Sequence, residues 1–189
     1  MSDENAIAKT YLDESFRTFR GYKRLADGAL SQLSDEEFFR LSDPESNSIA
    51  LIVKHMSGNL RSRWTDFLTT DGEKPDRHRD QEFEIGPADT REDLMRRWDQ
   101  GWETTLKTIQ GLQAGDVLRT VTIRGEPHTV LQAMSRSVAH TAYHTGQIAF
   151  LAKQLRGTNW KTLSIPKGKS AEYNAQRPEE RKVRSPARS

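Results

Sequence analysis

Apolar residues recur along most of this chain at steps of three and four, the spacing of one face of an α-helix. In the first stretch, about Glu4 to Gln32, they are Ile7, Tyr11, Phe16, Phe19, Tyr22 and Ala26, with charged residues between them. Ser34 and Glu37 then have capping-box spacing and open a short helix through Phe38 and Phe39, which Pro44 ends. A second long helix, about Asn47 to Thr69, carries Ile49, Val53, Met56, Leu60, Trp64 and Phe67. Asp71 to Asp89 is polar, holds Gly and Pro, and reads as a loop. Thr90 with Asp93 caps a third long helix containing Leu94, Trp98, Trp102, Leu106 and Ile109 and closing near Gly111. Thr120 to Ile123 alternates, with Gly125 at a turn, which predicts a small two-stranded ribbon. Pro127 and Thr129 start a fourth long helix that runs to about Leu155, with Gly157 as its C-cap.

Four long amphipathic helices joined by loops predict an all-α fold, a four-helix bundle with a short β-ribbon before the last helix. The organisation expected is one domain over residues 1–176 and a basic, disordered tail over residues 177–189. The net charge of +2 hides this division. From Gly157 onward there are eight Lys/Arg against three Asp/Glu, so that segment carries +5 and the part before it −3. A nucleic-acid-binding domain would carry its basic surface on the folded part, so nucleic acid is not the expected partner. The alternative is a salt-dependent contact confined to Arg177–Ser189.

Hydrophobic residues make up 34% and charged residues 30% of the chain, and no apolar run approaches the roughly 18 residues of a membrane span. The opening Met-Ser-Asp-Glu-Asn lacks the basic-then-apolar order of a signal peptide, which makes a cytoplasmic protein the expectation. With no cysteine, thiolate ligands, disulfides and a cysteine nucleophile are excluded.

The candidate chemistry lies in the histidines. His140 and His144, in Val138-Ala-His-Thr-Ala-Tyr-His-Thr-Gly-Gln147, stand four apart and so share one helix face. His55 lies at the edge of the second helix's apolar stripe. Three neutral imidazoles with one position left open make a catalytic-type metal site, and such rings suit Zn²⁺, Ni²⁺, Fe²⁺ or Cu²⁺. Paired histidines also occur on solvated faces, and a lone buried histidine is more often simply hydrogen-bonded. Asn59 and Gln147 are candidates for fixing the ring tautomers. No Asp or Glu has a telling position beside the histidines, and His78 and His128 lack a ligand-like context. Trp98 and Trp102 read as stacked core aromatics ahead of a pocket lining, Arg61 and Arg63 as surface charges at a helix C-terminus ahead of a hold for an anionic substrate group, and Tyr143 as a core or interface packing residue.

One histidine on the second long helix and a His-x-x-x-His pair on the fourth resemble the DinB-like (YfiT-like) superfamily of bacterial four-helix proteins. His55 in Ile52-Val-Lys-His-Met-Ser-Gly-Asn59 matches the first, and His140-Thr-Ala-Tyr-His144 followed by Gly146-Gln-Ile148 matches the pair. The stretch from Trp160 to Asn174 is similar to the post-helix segment of one subgroup, and the likeness covers roughly residues 5–176. The resemblance implies a divalent metal, Zn²⁺ or Ni²⁺ first, held by His55, His140 and His144, and a homodimer. It also implies a small-molecule substrate attacked by water or by a low-molecular-weight thiol cosubstrate, such as bacillithiol or mycothiol, in a transferase or hydrolase reaction. A metal-binding, stress-related module without catalysis is the competing reading.

Overall fold

The computed structural model describes residues 3–176, and the tail expectation for residues 177–189 lies outside them. Its helices are α1 (Asp3–Leu30), α2 (Asp35–Phe39), α3 (Ile49–Trp64), α4 (Arg91–Gly111), α5 (Val130–Arg156) and α6 (Ser170–Ala175). Strands β1 (Thr120–Ile123) and β2 (Glu126–Thr129) form a two-stranded antiparallel sheet before α5. The protein is thus mostly helical with one short ribbon. Among the described residues no helix is long and apolar enough to cross a membrane.

Helix α3 is the centre of the fold. Twelve of its 16 residues are buried, including Ile49, Val53, Met56, Leu60 and Trp64, and a helix apolar on nearly every side must be enclosed by others. It packs against α4 and α5, and α1 packs against the same two helices. Gly101 of α4 lets the α3 backbone approach closely, because a Cβ there would sit 3.2 Å from the Ser57 carbonyl oxygen. Phe19, Trp64, Trp98 and Trp102 fill the core, with Trp98 and Trp102 edge-to-face at 5.5 Å and fully buried. The Trp98 indole N–H donates to Asp27 Oδ1 at 2.9 Å, so its one polar group is satisfied. On α1 the inward face is set by Ala8, Leu12, Ser15 and Phe19, whereas Ile7, which spacing put in the stripe, is 70% exposed.

The local signals act as expected at several helix starts. Ser34 with Glu37 forms a reciprocal capping box, as does Thr129 with Gln132, and the Thr90 hydroxyl accepts from the Asp93 N–H. Two boundaries differ from the sequence reading. Helix α3 stops at Trp64 rather than near Thr69: Asp66 takes a left-handed φ of 48°, and its carbonyl collects the N–H groups of Thr69 and Thr70. Pro127 lies within β2, opposite Thr122, and the last helix begins only after Thr129. An edge strand tolerates proline because its missing N–H would have faced away from the ladder.

The ribbon turns through Arg124 and Gly125, both with positive φ (56° and 76°), as a two-residue hairpin requires. The Asp71 carboxylate accepts both turn N–H groups at 2.8 Å. Desolvation opposes ionisation, but the Glu73 N–H, which also donates to this carboxylate at 2.7 Å, together with the Gly125 and Arg124 N–H groups holds the Asp71 carboxyl down at about 2. A segment expected to be plain loop therefore anchors the hairpin, and both border the same cavity.

Candidate metal centre

His55 arrives from α3, and His140 and His144 arrive from one face of α5. One ring nitrogen from each lies within 4.8 Å of the other two, and among the described residues this is the cluster of three or more His, Asp or Glu groups suited to an ion. The Nε2 atoms of His55 and His140 are 3.2 Å apart. Two imidazoles bound to one tetrahedral ion at about 2.0–2.1 Å place their nitrogens about 3.3 Å apart. The donor set and its closest spacing therefore fit a divalent cation, and the sequence-derived triad is brought together as a unit.

The rings are also oriented. The His55 Nδ1–H donates to Glu82 Oε2 at 2.8 Å. Desolvation pushes the Glu82 carboxyl up, but the Arg77 guanidinium and the His55 bond outweigh it and hold it below its ordinary value. Arg77 clamps that carboxylate in a fork, Nε to Oε1 at 2.8 Å and Nη2 to Oε2 at 2.9 Å. The His144 Nδ1–H donates to Gln147 Oε1 at 2.8 Å. Both bonds fix the proton on Nδ1 and leave the Nε2 lone pair for a ligand. Phe83 lies against the His55 ring at 4.8 Å between centroids, covering one side of it.

The electrostatics keep His140 and His144 neutral. Burial pushes His140 down to about 3, helped by His144, His55, Arg77 and Arg63. Burial and His55 push His144 down to about 4. Rings that resist protonation at neutral pH are already in the state that coordinates a cation.

Glu82 is the functional residue that sequence reasoning missed. It comes from a single 3₁₀ turn, Arg79–Phe83, inside the stretch read as loop, and that turn packs on α3. Gly58 of α3 makes room for it, since a Cβ there would lie 2.1 Å from Glu82 Oε1. Gln147 does fix a tautomer, whereas Asn59 lines the cavity and Glu82 accepts the hydrogen bond from the His55 Nδ1–H in its place. Two further expectations change. Arg63 is largely buried on the cavity wall, paired to Glu73 at 3.1 Å, rather than free on the surface. Tyr143 is 62% exposed at the cavity rim rather than packed in the core, its ring 4.9 Å from that of His144. Arg61 is a surface charge, as expected, bound to Asp76. His78 and His128 stand outside the cluster.

The three histidines open onto a cavity of about 410 Å³ between α3, α5, the hairpin turn and the 3₁₀ turn. No curated protein matches this chain. A family model described as "Protein of unknown function (DUF1572)" matches residues 6–169, which is most of the sequence. The chain therefore belongs to the DUF1572 family.

Proposed function

We propose that this protein is a divalent-metal-dependent enzyme of the DinB-like (YfiT-like) superfamily, a four-helix bundle that activates water or a low-molecular-weight thiol against a small molecule. The observation that carries this reading is the convergence of three imidazoles, two of them locked with Nε2 free, at the floor of a cavity large enough for a small substrate. The packing of α1, α4, α3 and α5, each on the next, supports the bundle.

In this account His55, His140 and His144 hold the ion, with Zn²⁺ or Ni²⁺ favoured by the all-imidazole donor set. A divalent ion there supplies Lewis acidity, lowering the pKa of a water or thiol bound beside it. Glu82 and Gln147 hold the rings of His55 and His144, and Arg77 holds Glu82. Phe83 keeps water from one face of His55. Among the described residues no carboxylate lines the cavity, so none on that wall competes with the histidines for a cation. A missing cysteine is no obstacle, because the thiol arrives with the cosubstrate.

The test is turnover by protein reconstituted with Zn²⁺ or Ni²⁺. Consumption of an electrophile in the presence of a small thiol, and hydrolysis of an ester in its absence, are each followed alongside His55→Ala. The proposal expects one of these activities in the wild type and its loss, with the bound ion, in the variant. Full activity and ion content in His55→Ala would overturn the site. Tight ion binding without turnover of either kind would favour the non-catalytic, stress-related metal-binding module.

A further inference from the structure

Among the described residues, the cavity wall above the histidines carries five arginines, Arg63, Arg77, Arg79, Arg124 and Arg136, and no Asp or Glu. The carboxylates behind the wall do not balance them. Glu82 is committed to Arg77 and His55. A single oxygen of Glu73, Oε2, serves three guanidinium groups: Arg63 at 3.1 Å, and Arg77 and Arg124 each at 3.3 Å. Arg79 lies over the Phe83 ring, and its carboxylate, Asp80 at 3.6 Å, is fully solvated. Arg136 has no ion-pair partner among the described residues, although it stands one helical turn before His140 on the same face of α5. Next to it the Ser137 hydroxyl is buried on the cavity wall with no hydrogen-bond partner among the described residues. Burial, with Arg77 and Arg124 adding to it, pushes the Arg63 guanidinium down against the pull of Glu73.

Two of these cations, Arg63 and Arg77, are buried behind the wall and three, Arg79, Arg124 and Arg136, stand at its solvent-facing mouth. Crowded beside an unused hydroxyl donor, they are arranged for an anion. We propose that the cavity binds a small organic oxyanion, a molecule bearing a carboxylate or phosphate group, gripped by Arg136, Arg124 and the Ser137 hydroxyl. That this anchor turns the ligand's reactive end toward His55, His140 and His144 rests on the metal-centre reading; the anion binding does not. The guanidinium fork matches two oxygens of either group, so both chemistries share the site.

Isothermal titration calorimetry with inorganic phosphate and, separately, succinate tests this on the protein as purified and after chelation, with metal content measured in each sample. Saturable binding of at least one anion is expected in both samples, which separates this inference from the metal reading. Arg136→Gln is expected to weaken it about tenfold or more at unchanged metal content. Arg61→Gln, whose arginine pairs with Asp76 away from the cavity, serves as the control and is expected to bind like the wild type. Failure of both anions to bind either sample, or equal binding by Arg136→Gln, would overturn the proposal. Binding of a single-stranded oligonucleotide with no response to phosphate or succinate would also overturn it, in favour of a polymer-binding surface.

Discussion

Gly58→Ala adds one methyl group to α3 without touching a histidine, yet it should damage the metal centre. At an unobstructed helix position the exchange stabilises a protein by up to about 1 kcal/mol. Here the new Cβ would stand 2.1 Å from Glu82 Oε1 and 2.8 Å from its Cδ, so the carboxylate must retreat by about 1 Å to reach ordinary contact. It cannot do so freely, because three bonds of 2.8–2.9 Å tie it to Arg77 and His55. Loss of two of them, at about 1.5–3 kcal/mol each for bonds to a charged group, outweighs the helix gain and leaves a net destabilisation of about 2–5 kcal/mol. With its acceptor displaced, His55 loses its fixed tautomer, and metal affinity should fall about 10–100-fold. Urea unfolding and competition with a chromophoric chelator measure the two effects. Gly21→Ala on α1, where nothing lies within 4 Å of the added Cβ, is the control and should be neutral or stabilising. A Gly58→Ala protein that gains stability like Gly21→Ala and keeps wild-type metal affinity would refute the role given to Glu82.

Chelated protein should lose stability as pH falls from about 6.5 to about 4. The unfolded imidazoles take up protons near 6.5, while folded His140 and His144 stay neutral down to about 3 and about 4. The unfolded state thus binds more protons in that window. Urea midpoints at pH 7 and pH 5 check this, and a drop no larger than that of a His140→Ala, His144→Ala variant would contradict it. Asp71→Ala should cost about 2–4 kcal/mol through loss of the bonds to the Arg124 and Gly125 N–H groups. The wild-type contribution of Asp71 should be fully present above about pH 4 and lost as pH falls through about 2. Thermal denaturation of the two proteins at pH 7 measures the difference, and equal midpoints would refute the anchoring role.

What sequence reasoning could reach follows from what local chemistry dictates. The His140/His144 pair was legible because helical periodicity alone puts residues four apart on one face. The capping box at Ser34, the Thr90 cap, the Gly125 turn and the Trp98–Trp102 core pair were legible for the same local reason. His55 could be placed at the edge of its stripe, but its approach to His140 depends on how α3 packs on α5, which no local pattern encodes. Glu82 was hidden because it sits on a turn with no period, 27 residues beyond its partner. The only available hint was the length of the polar stretch from Asp71 to Asp89, since long loops without elements of their own are often functional. Arg63 illustrates the same limit. Its place near a helix end suggested solvent, and only the returning segment that carries Glu73 encloses it.

The central claim is that His55, His140 and His144 hold one divalent ion, and metal stoichiometry tests it most directly. Purified protein and a His55→Ala, His140→Ala, His144→Ala variant are reconstituted with Zn²⁺ or Ni²⁺, freed of excess ion and assayed by elemental analysis, with circular dichroism confirming that both are folded. The account predicts one ion per chain in the wild type and none in the folded variant. A wild type that retains no ion after reconstitution, or a triple variant that retains as much, would contradict it.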